Sequence, residues 1–432
     1  MNNRVPLINQ LKVFWKKSPT IRNILKVSFG DVTSKIFSVA TVFLLIRGLS
    51  VADYGAYTTF SGISFLFSGV VGTGINMALV RFSSNRISRG KEKLSTLFII
   101  ALLFQLIMYS ILAGLCFLFP VQSTILLFGQ PALTLPLKLG LLAGLGMLII
   151  QFTRSLYQAE EKFNNYIGTL WLIQIIILVS LVVLWILQYL SFVPVAIIFV
   201  TVQLGLGSWL LISYLKRFKF SRLKYNDLDQ KTEMKQFLVG SGWLIGYFII
   251  LNLFSRMDVL MLLHFWGREE LAIYGVAFQY YSLALLFLGS IHAVLLPKFS
   301  KVDMQDADKQ KAFLNQWIHW SVWLAIPIAL FDIFGKPLFV WINGSTYENS
   351  FPIFIIFSIG IFLSMMFSPL VNIFISKGNF KFLFVLSFSA FLSNIILNLC
   401  LVPFLGGVGA AATVIISIGI INFASYIRIR LI

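Results

Sequence analysis

Long hydrophobic runs alternate with short polar segments along the whole chain. The runs are about 20 residues long, which is enough for a helix to cross a ~30 Å hydrocarbon core. The short alternating segments of a transmembrane β-barrel are missing from the sequence. The pattern predicts an all-α polytopic membrane protein with twelve transmembrane helices. They are 24–46, 56–80, 95–118, 133–153, 167–187, 194–215, 238–263, 276–297, 314–334, 352–375, 382–403 and 407–427.

Two stretches about 220 residues apart share one pattern. In the first, Asp53-Tyr54-Gly55 lies between two apolar runs, and the second run ends at Arg81-Phe82-Ser83. In the second, Glu270 and Tyr274-Gly275 lie between two apolar runs, and the later one ends at Lys298-Phe299-Ser300. Such an internal repeat is typical of transporters, whose site lies between the repeats.

Six helices in each half give both halves the same orientation, so the repeat is of the parallel type. We therefore expect two six-helix bundles around a central site, 24–215 and 238–427. A cytoplasmic linker, 216–237, joins them. A basic N-terminal segment, 1–23, precedes the bundles and a short tail, 428–432, follows them. The first apolar run is expected to be an uncleaved signal anchor.

Basic residues occupy alternate loops. The N-terminus, 81–94, 154–166, 216–237, 298–313, 376–381 and the C-terminus contain 28 of the 34 Lys and Arg residues, and the six opposite loops contain only Arg268 and Lys336. The positive-inside rule places both termini in the cytoplasm. This loop bias explains the net charge of +18, so no nucleic-acid partner is needed.

The composition also excludes several classes of function. Hydrophobic residues make up 58% of the chain and charged residues 12%, against about 25% charged in soluble domains. The loops are too short for a soluble catalytic domain, and no phosphate-binding loop motif occurs. Cys116 and Cys400 lie in apolar runs, so no disulfide is expected, and no Cys/His pattern has metal-ligand spacing. We expect neither an enzyme nor a metal site.

Four charged residues lie well inside the first and seventh predicted spans. A charge at mid-membrane costs about 2.5–3.5 kcal/mol on insertion scales, so each is a functional candidate. Asp31 and Lys35 lie one turn apart in the first helix, and Arg256 and Asp258 lie in the seventh. Shifting the first half by 220 residues puts Lys35 beside Arg256, which predicts one cation from each half in the central cleft. The alternative is that these charges only pair with one another and hold helices together.

Two further cations, Arg47 and Lys138, lie near outer helix ends. Their side chains can either extend to the head groups or contact a substrate. A cationic cleft favours phosphate-containing substrates, because Lys and Arg form charge-assisted hydrogen bonds with phosphate oxygens. Uncharged polar residues in the spans could bind sugar hydroxyls. They are Asn76, Gln105, Gln151, Gln174, Gln203, Asn252, Gln279, Asn372, Asn394 and Asn398.

Four motifs, in order on these spans, resemble the Wzx-type polysaccharide flippases of the multidrug/oligosaccharidyl-lipid/polysaccharide exporter superfamily. The resemblance extends from about residue 20 to the C-terminus. The motifs are Arg47-x-Leu49-Ser50-x-x-Asp53-Tyr54-Gly55-x-Tyr57, Tyr157-Gln158-Ala159-Glu160-Glu161-Lys162-Phe163, Tyr274-Gly275 through Leu296-Pro297-Lys298-Phe299-Ser300, and Leu401-Val402-Pro403-x-x-Gly406-Gly407-Val408-Gly409-Ala410-Ala411.

The resemblance implies a MATE-like arrangement of the two bundles around a central cavity in the bacterial inner membrane. It implies transfer of undecaprenyl-pyrophosphate-linked oligosaccharide to the periplasmic leaflet, with Lys35 and Arg256 as the matching cavity cations. A coupling proton or sodium ion would involve Asp31 or Asp258. A polysaccharide polymerase and a chain-length regulator are the partners that such a role suggests.

Two other functions fit a hydrophobic, basic membrane chain. An O-antigen polymerase would need a sizeable outer loop rich in polar or basic residues, whereas the outer loops here are short and nearly uncharged. A drug/cation antiporter of the same superfamily would favour an acidic cavity, whereas the mid-membrane charges here are balanced or cationic.

Overall fold

The described residues of the first half of the chain form eight α-helices. The structure, a computed structural model, describes residues 19–87, 95–217, 227–299, 306–323 and 325–431. A π-helical turn, Gly69–Thr73, joins the second helix to the third. The helices are α1 Pro19–Gly48, α2 Val51–Ser68, α3 Gly74–Ile87, α4 Ser95–Leu118, α5 Pro120–Phe128, α6 Thr134–Ala159, α7 Phe163–Ile186 and α8 Phe192–Arg217.

The second half is equally helical, and the described residues contain no strand. Its last helix is bent at Gly406, whose φ of 54° is not helical. The helices are α9 Asp227–Phe254, α10 Met257–Phe265, α11 Arg268–Phe299, α12 Ala307–Val322, α13 Ala325–Phe334, α14 Lys336–Asn343, α15 Ser350–Met366, α16 Ser368–Ser376 and α17 Phe380–Leu431. The predicted all-α class is confirmed.

Helices cover all twelve predicted segments. Within the described ranges, eight helices are long and apolar enough to cross a membrane, or nine if the bent pair α15–α16 forms one span. One of these eight is the 50-residue Phe380–Ile429, which contains two predicted spans separated by the bend at Gly406. The number of crossings, the side of each terminus and the bundle boundaries stay predictions. Parts of the predicted segments 1–23 and 216–237 lie outside the described residues.

Two short helices occur where the sequence predicts loops. Helix α5 begins with Pro120 and ends before Gly129, which has the left-handed φ of 67°. Helix α14 has a proline in its first turn and ends at Gly344. Proline at the start and glycine after the end of a helix are the expected boundary signals. The sequence therefore contained the signals that mark both of these short helices.

The six loops with few basic residues meet at one end of the molecule. These low-charge loops are 48–55, 119–132, 188–193, 264–275, 335–351 and 404–406, and Arg47 directly precedes the first of them. Their meeting at one end is what alternate crossings require. The contacts that join them are Arg47 with Ile342, Gly48 with Leu190, Gly55 with Arg268, Gly129 with His264, and Glu270 with Gly407.

Equivalent helices pack together in the two halves. In the first half α1 packs on α7, α2 on α6, and α6 on α8. In the second half α9 packs on α17, α11 on α15, and α15 on α17. Gly246 of α9 lies against Phe384 in the first part of α17, and Gly360 of α15 lies against Ile415 in its second part. The six pairings match the sequence repeat, with the two parts of α17 corresponding to α7 and α8.

A stripe of glycines on α2 and α3 packs the first half against the second. A Cβ atom on these glycines would lie within 3.2 Å of an atom of the opposite half, and at Gly55 and Gly74 that atom belongs to the backbone, which cannot rotate away. Gly55, Gly62 and Gly69 are spaced seven residues apart, and so are the facing residues Ile245, Asn252 and Val259. The pairs are Gly55 with the Arg268 carbonyl, Gly62 with Val259, Gly69 with the Asn252 amide and Gly74 with the Ile245 carbonyl. Such small-residue packing is the usual means of close helix association in membranes.

The Gly55→Ala substitution should destabilise the protein by about 1–3 kcal/mol, the usual cost of overpacking. The added methyl group would overlap the backbone carbonyl of Arg268, which cannot rotate away as a side chain can. Gly205→Ala is the matched control, because a Cβ there meets no atom within 4 Å. Thermal unfolding in detergent should show a lower Tm for Gly55→Ala only. Equal Tm values for the two variants would contradict the close contact.

Candidate functional site

The seventh predicted span is broken in its middle. Helix α9 ends at Phe254 and α10 begins at Met257. Arg256 lies in the break as the N-cap of α10, with φ −133° and ψ 2°. Discontinuous helices of this kind are common at transporter binding sites, because they present helix ends and polar side chains inside the membrane.

The Arg256 side chain lies between aromatic rings from both halves. Its guanidinium carbon is 4.9 Å from the centre of the Phe65 ring of α2 and 5.7 Å from that of Phe278 of α11. Cation–π contacts of this kind contribute about 0.5–2 kcal/mol each. Within the described part of the chain, no carboxylate oxygen lies within ion-pair distance of Arg256. The rings and the nearby Asp258 charge therefore stabilise this cation, and none of the described hydrogen bonds comes from its side-chain N–H groups.

Asp258 follows two residues later and is only 1% exposed. The Tyr274 hydroxyl donates a hydrogen bond to its Oδ2 atom. Its Oδ1 atom has no hydrogen-bond partner among the described residues. The carboxylate also lies in the first turn of α10, where the helix dipole favours negative charge.

Phe278 and Tyr274 complete a closed network. The two rings stack at 5.8 Å with an interplanar angle of 18°. Arg256 therefore packs on Phe278, Phe278 on Tyr274, and Tyr274 binds Asp258. Tyr274 thus lies between the buried Asp258 carboxylate and the Phe278 ring that contacts Arg256. Sequence reasoning singled out both Arg256 and Asp258 and gave ion coupling or charge pairing as the alternatives for Asp258; the described hydrogen-bond partner is a tyrosine.

The first-half candidates are less fully defined. Lys35 lies on α1 and is half-buried. Asp31 lies on the same helix, and its side chain is outside the described part of the structure. The meeting of Lys35 and Arg256 in one cleft stays a prediction.

Arg47 binds protein backbone across the boundary between the halves. Its Nε atom donates to the Ile342 carbonyl at 2.7 Å, and a second guanidinium nitrogen donates to the Trp341 carbonyl. These carbonyls belong to the last turn of α14, where a cation also interacts favourably with the helix dipole. Nearby, the Tyr54 and Tyr347 rings meet at 5.9 Å, and burial raises the pKa of Tyr347 to about 12. Arg47 thus ties α1 to α14, an outcome that neither sequence interpretation included.

Lys138 remains within the first half. Its Nζ atom lies 5.6 Å from the centre of the Phe117 ring of α4. None of the contacts described for Lys138 joins it to the Arg256 network, so its predicted substrate contact stays a prediction.

A second polar group surrounds the π-helical turn. The Gln105 amide donates to Asn76 Oδ1 at 2.9 Å, and Asn252 of α9 lies against Gly69. Gln151 lies beside Gly72. π-Helical turns occur frequently at functional sites. Sequence reasoning noted the polar residues but missed this turn, whose only signal is the spacing of Gly69, Gly72 and Gly74.

Removing the tyrosine hydroxyl should test the buried pair. Tyr274→Phe should destabilise the protein by about 1–3 kcal/mol, because it takes the hydrogen bond from a buried carboxylate. In an Asp258→Leu background the same change should cost less, with a coupling of about 0.5–3 kcal/mol. Thermal unfolding in detergent would give the stability of the wild type, the two single variants and the double variant. Tyr247→Phe on α9 is the control for loss of a hydroxyl from a buried tyrosine. If Tyr247→Phe is coupled to Asp258→Leu as strongly as Tyr274→Phe is, a specific Tyr274–Asp258 pair is refuted.

Solved structures show that this fold occurs in known flippases and exporters. The chain is similar to a structure described as lipid II flippase MurJ in an inward closed conformation. The TM-score is 0.70 and the identity 16%, over 92% of this chain and 87% of that one. It is also similar to the Vibrio cholerae MATE transporter VcmN, with a TM-score of 0.66 and 14% identity over 95% of both chains. The predicted MATE-like fold is confirmed.

Sequence comparison gives the family. The Haemophilus influenzae "Lsg locus putative protein 1" is 22% identical over 358 residues, which are 82% of this chain and 84% of that protein. The family described as "Polysaccharide biosynthesis protein" matches residues 20–303, more than half of the chain. The resemblance inferred from the motifs is thereby confirmed: this chain is a multi-pass membrane protein that belongs to the polysaccharide biosynthesis protein family.

Proposed function

We propose that the protein is a flippase that transfers undecaprenyl-pyrophosphate-linked oligosaccharide, a surface-polysaccharide repeat unit, from the cytoplasmic to the periplasmic leaflet. The observation that carries this proposal is Arg256. It is a cation at a helix break, placed between rings of the two halves, with no carboxylate in ion-pair distance among the described residues. The family match and the shared fold with a lipid II flippase support the same class of substrate.

The pyrophosphate is the part of the substrate that Arg256 suits. A guanidinium presents a planar fork of donors that matches phosphate oxygens, and Lys35 would supply a second cation from the first half. Phe65 and Phe278 belong to different halves, so rocking of the halves would change the packing around Arg256. Alternating access would then couple capture of the pyrophosphate on one side to its release on the other.

Asp258 is the residue best placed to couple an ion to this movement. Tyr274 binds one of its oxygens, and the other has no described partner. A proton or sodium ion at this carboxylate would weaken its attraction for the nearby Arg256 charge. Asp31 is the corresponding candidate in the first half. Beyond such an ion the proposed transport needs no cofactor, and it needs no enzymatic step.

Drug/cation antiport is the second candidate, because several structural neighbours are MATE multidrug transporters. A cationic drug would meet Arg256 rather than an exposed acid, since Asp258 is buried. The polymerase alternative remains unsupported, because the family and the structural neighbours are associated with transport. In the proposed role the partners are membrane lipids and, in the inner membrane, a polymerase and a chain-length regulator.

Deletion of the gene tests the proposed class directly. We expect unpolymerised lipid-linked repeat units to accumulate in the cytoplasmic leaflet, because synthesis continues while transfer stops. Leaflet location can be measured by access of a membrane-impermeant glycosidase or lectin in oriented vesicles. Increased drug sensitivity without this accumulation would favour the antiporter instead.

Complementation of that deletion tests the two cations. Arg256→Ala and Lys35→Ala should each reduce surface polysaccharide at least tenfold at normal protein levels, because a pyrophosphate contact is lost. Arg256→Lys and Lys35→Arg should be milder, since they keep the charge. Lys381→Ala is the control, because Lys381 is an exposed cation beside Trp243 outside the network. Full activity of both alanine variants would exclude the cationic site.

A further inference from the structure

We propose that a pocket between α3, α4 and α9 holds the prenyl chain of the lipid-linked substrate. The inference rests on the proposed function and adds the place of the hydrocarbon tail. The pocket has a volume of about 290 Å³. It lies at the boundary of the two halves, since α3 and α4 belong to the first and α9 to the second. Its lining includes Ile75, Leu97, Ile100, Phe104, Gly242 and Ile245.

The chemistry of the lining selects a hydrocarbon ligand. Apart from Gly242, every named side chain is aliphatic or aromatic, so a polar ligand would lose its hydrogen bonds to water without replacement. Phe104 is 46% exposed, which places one edge of the pocket at the lipid-facing surface. Toward the basic loops, Phe82 and Phe237 pack edge to face at 5.8 Å. A prenyl chain can therefore enter the pocket from the bilayer, and the Phe82–Phe237 pair limits how far it extends toward the basic loops.

Gly242 keeps the pocket open. A Cβ atom at this position would meet no atom within 4 Å, so the helix face presents empty space rather than a packed neighbour. This differs from the glycine stripe, where the same atom would overlap the opposite half. The absence of a side chain at Gly242 thus enlarges the pocket without serving helix packing.

The position on α9 favours the substrate's own chain over a bulk phospholipid. Ile245 lies nine residues before Phe254, where α9 ends, about 14 Å along the helix axis, and Arg256 follows in the break; a few isoprene units span such a distance. A prenyl chain in the pocket can therefore belong to the lipid whose pyrophosphate lies at Arg256. The chain would contact both halves at once, so it would remain bound in the seam while the head group crosses.

Gly242→Leu should block the pocket without disturbing the fold. Gly205→Leu is the matched control, since Gly205 is also an exposed helical glycine with no atom within 4 Å of its Cβ. The full-length protein in lipid nanodiscs would be labelled with a polyprenyl diphosphate that carries a diazirine near its tail. Mass spectrometry should locate the label on Leu97, Ile100 or Phe104. Labelling should fall at least tenfold in Gly242→Leu and stay at the wild-type level in Gly205→Leu.

A graded series protects this test against misfolding. Gly242→Ala should leave most labelling intact, and Gly242→Phe should abolish it, at equal thermal stability. Competition by unlabelled polyprenyl diphosphate, but not by equimolar phosphatidylglycerol, supports the prenyl chain. Equal competition by phosphatidylglycerol, labels outside the pocket, or unchanged labelling in Gly242→Leu would overturn the inference. If the deletion strain accumulates the repeat unit while these labels lie elsewhere, only the tail site fails. Without that accumulation the proposed function itself fails.

Discussion

Close contact between the halves along the glycine stripe is the constraint on which the other features depend. Gly55 and Gly62 bring α2 against α11 and α10, and Gly69 in the π-helical turn lies against α9, so closely that a methyl group would meet the opposite half. In a bilayer no hydrophobic force draws helices together, because lipid tails are as apolar as leucine, so packing and interhelical polar contacts must do so. This approach brings Phe65 of the first half to Arg256 of the second. A wider separation would remove one of the two rings and leave the cation in lipid.

Two of the motifs found in the sequence, one around Glu270 and one around Gly406-Gly407, are explained by contacts in the structure. Glu270 accepts a hydrogen bond from the Gly407 amide at 2.8 Å, and the Trp266 indole donates to the Val402 carbonyl at 2.7 Å. The loop before α11 thus satisfies backbone groups on both sides of the bend at Gly406. The Pro-x-x-Gly-Gly motif and the Glu270 motif are therefore two parts of one contact.

Patterns repeated along the chain predicted the fold well. The lengths of the hydrophobic runs predicted helices over all twelve segments. The repeated Tyr54-Gly55 and Tyr274-Gly275 motif marks α2 and α11, two helices that pack together between the halves. The candidate site was only half predictable. Arg256 and Asp258 stand out as charges in an apolar run, but Phe65 and Tyr274 look like ordinary aromatic residues. Phe65 matters because α2 packs on a distant part of the chain, and Tyr274 because helix rotation turns its hydroxyl toward Asp258, 16 residues away; local sequence encodes neither.

The two halves share a fold but not a site. The 220-residue offset pairs Tyr274 with Tyr54, yet it pairs Asp258 with Ser38, whose hydroxyl binds the backbone of its own helix at Ser34. Tyr54 instead packs on Tyr57 and Tyr347. The duplicated tyrosine is therefore a packing element in one half and a hydrogen-bond donor to a buried acid in the other. If the halves rock as proposed, the exposed hydrogen bonds of Arg47 are inter-half contacts that can break at little cost. Only the second half places an acid beside this tyrosine, so ion coupling would act there, while the first half supplies the Phe65 ring that packs on Arg256.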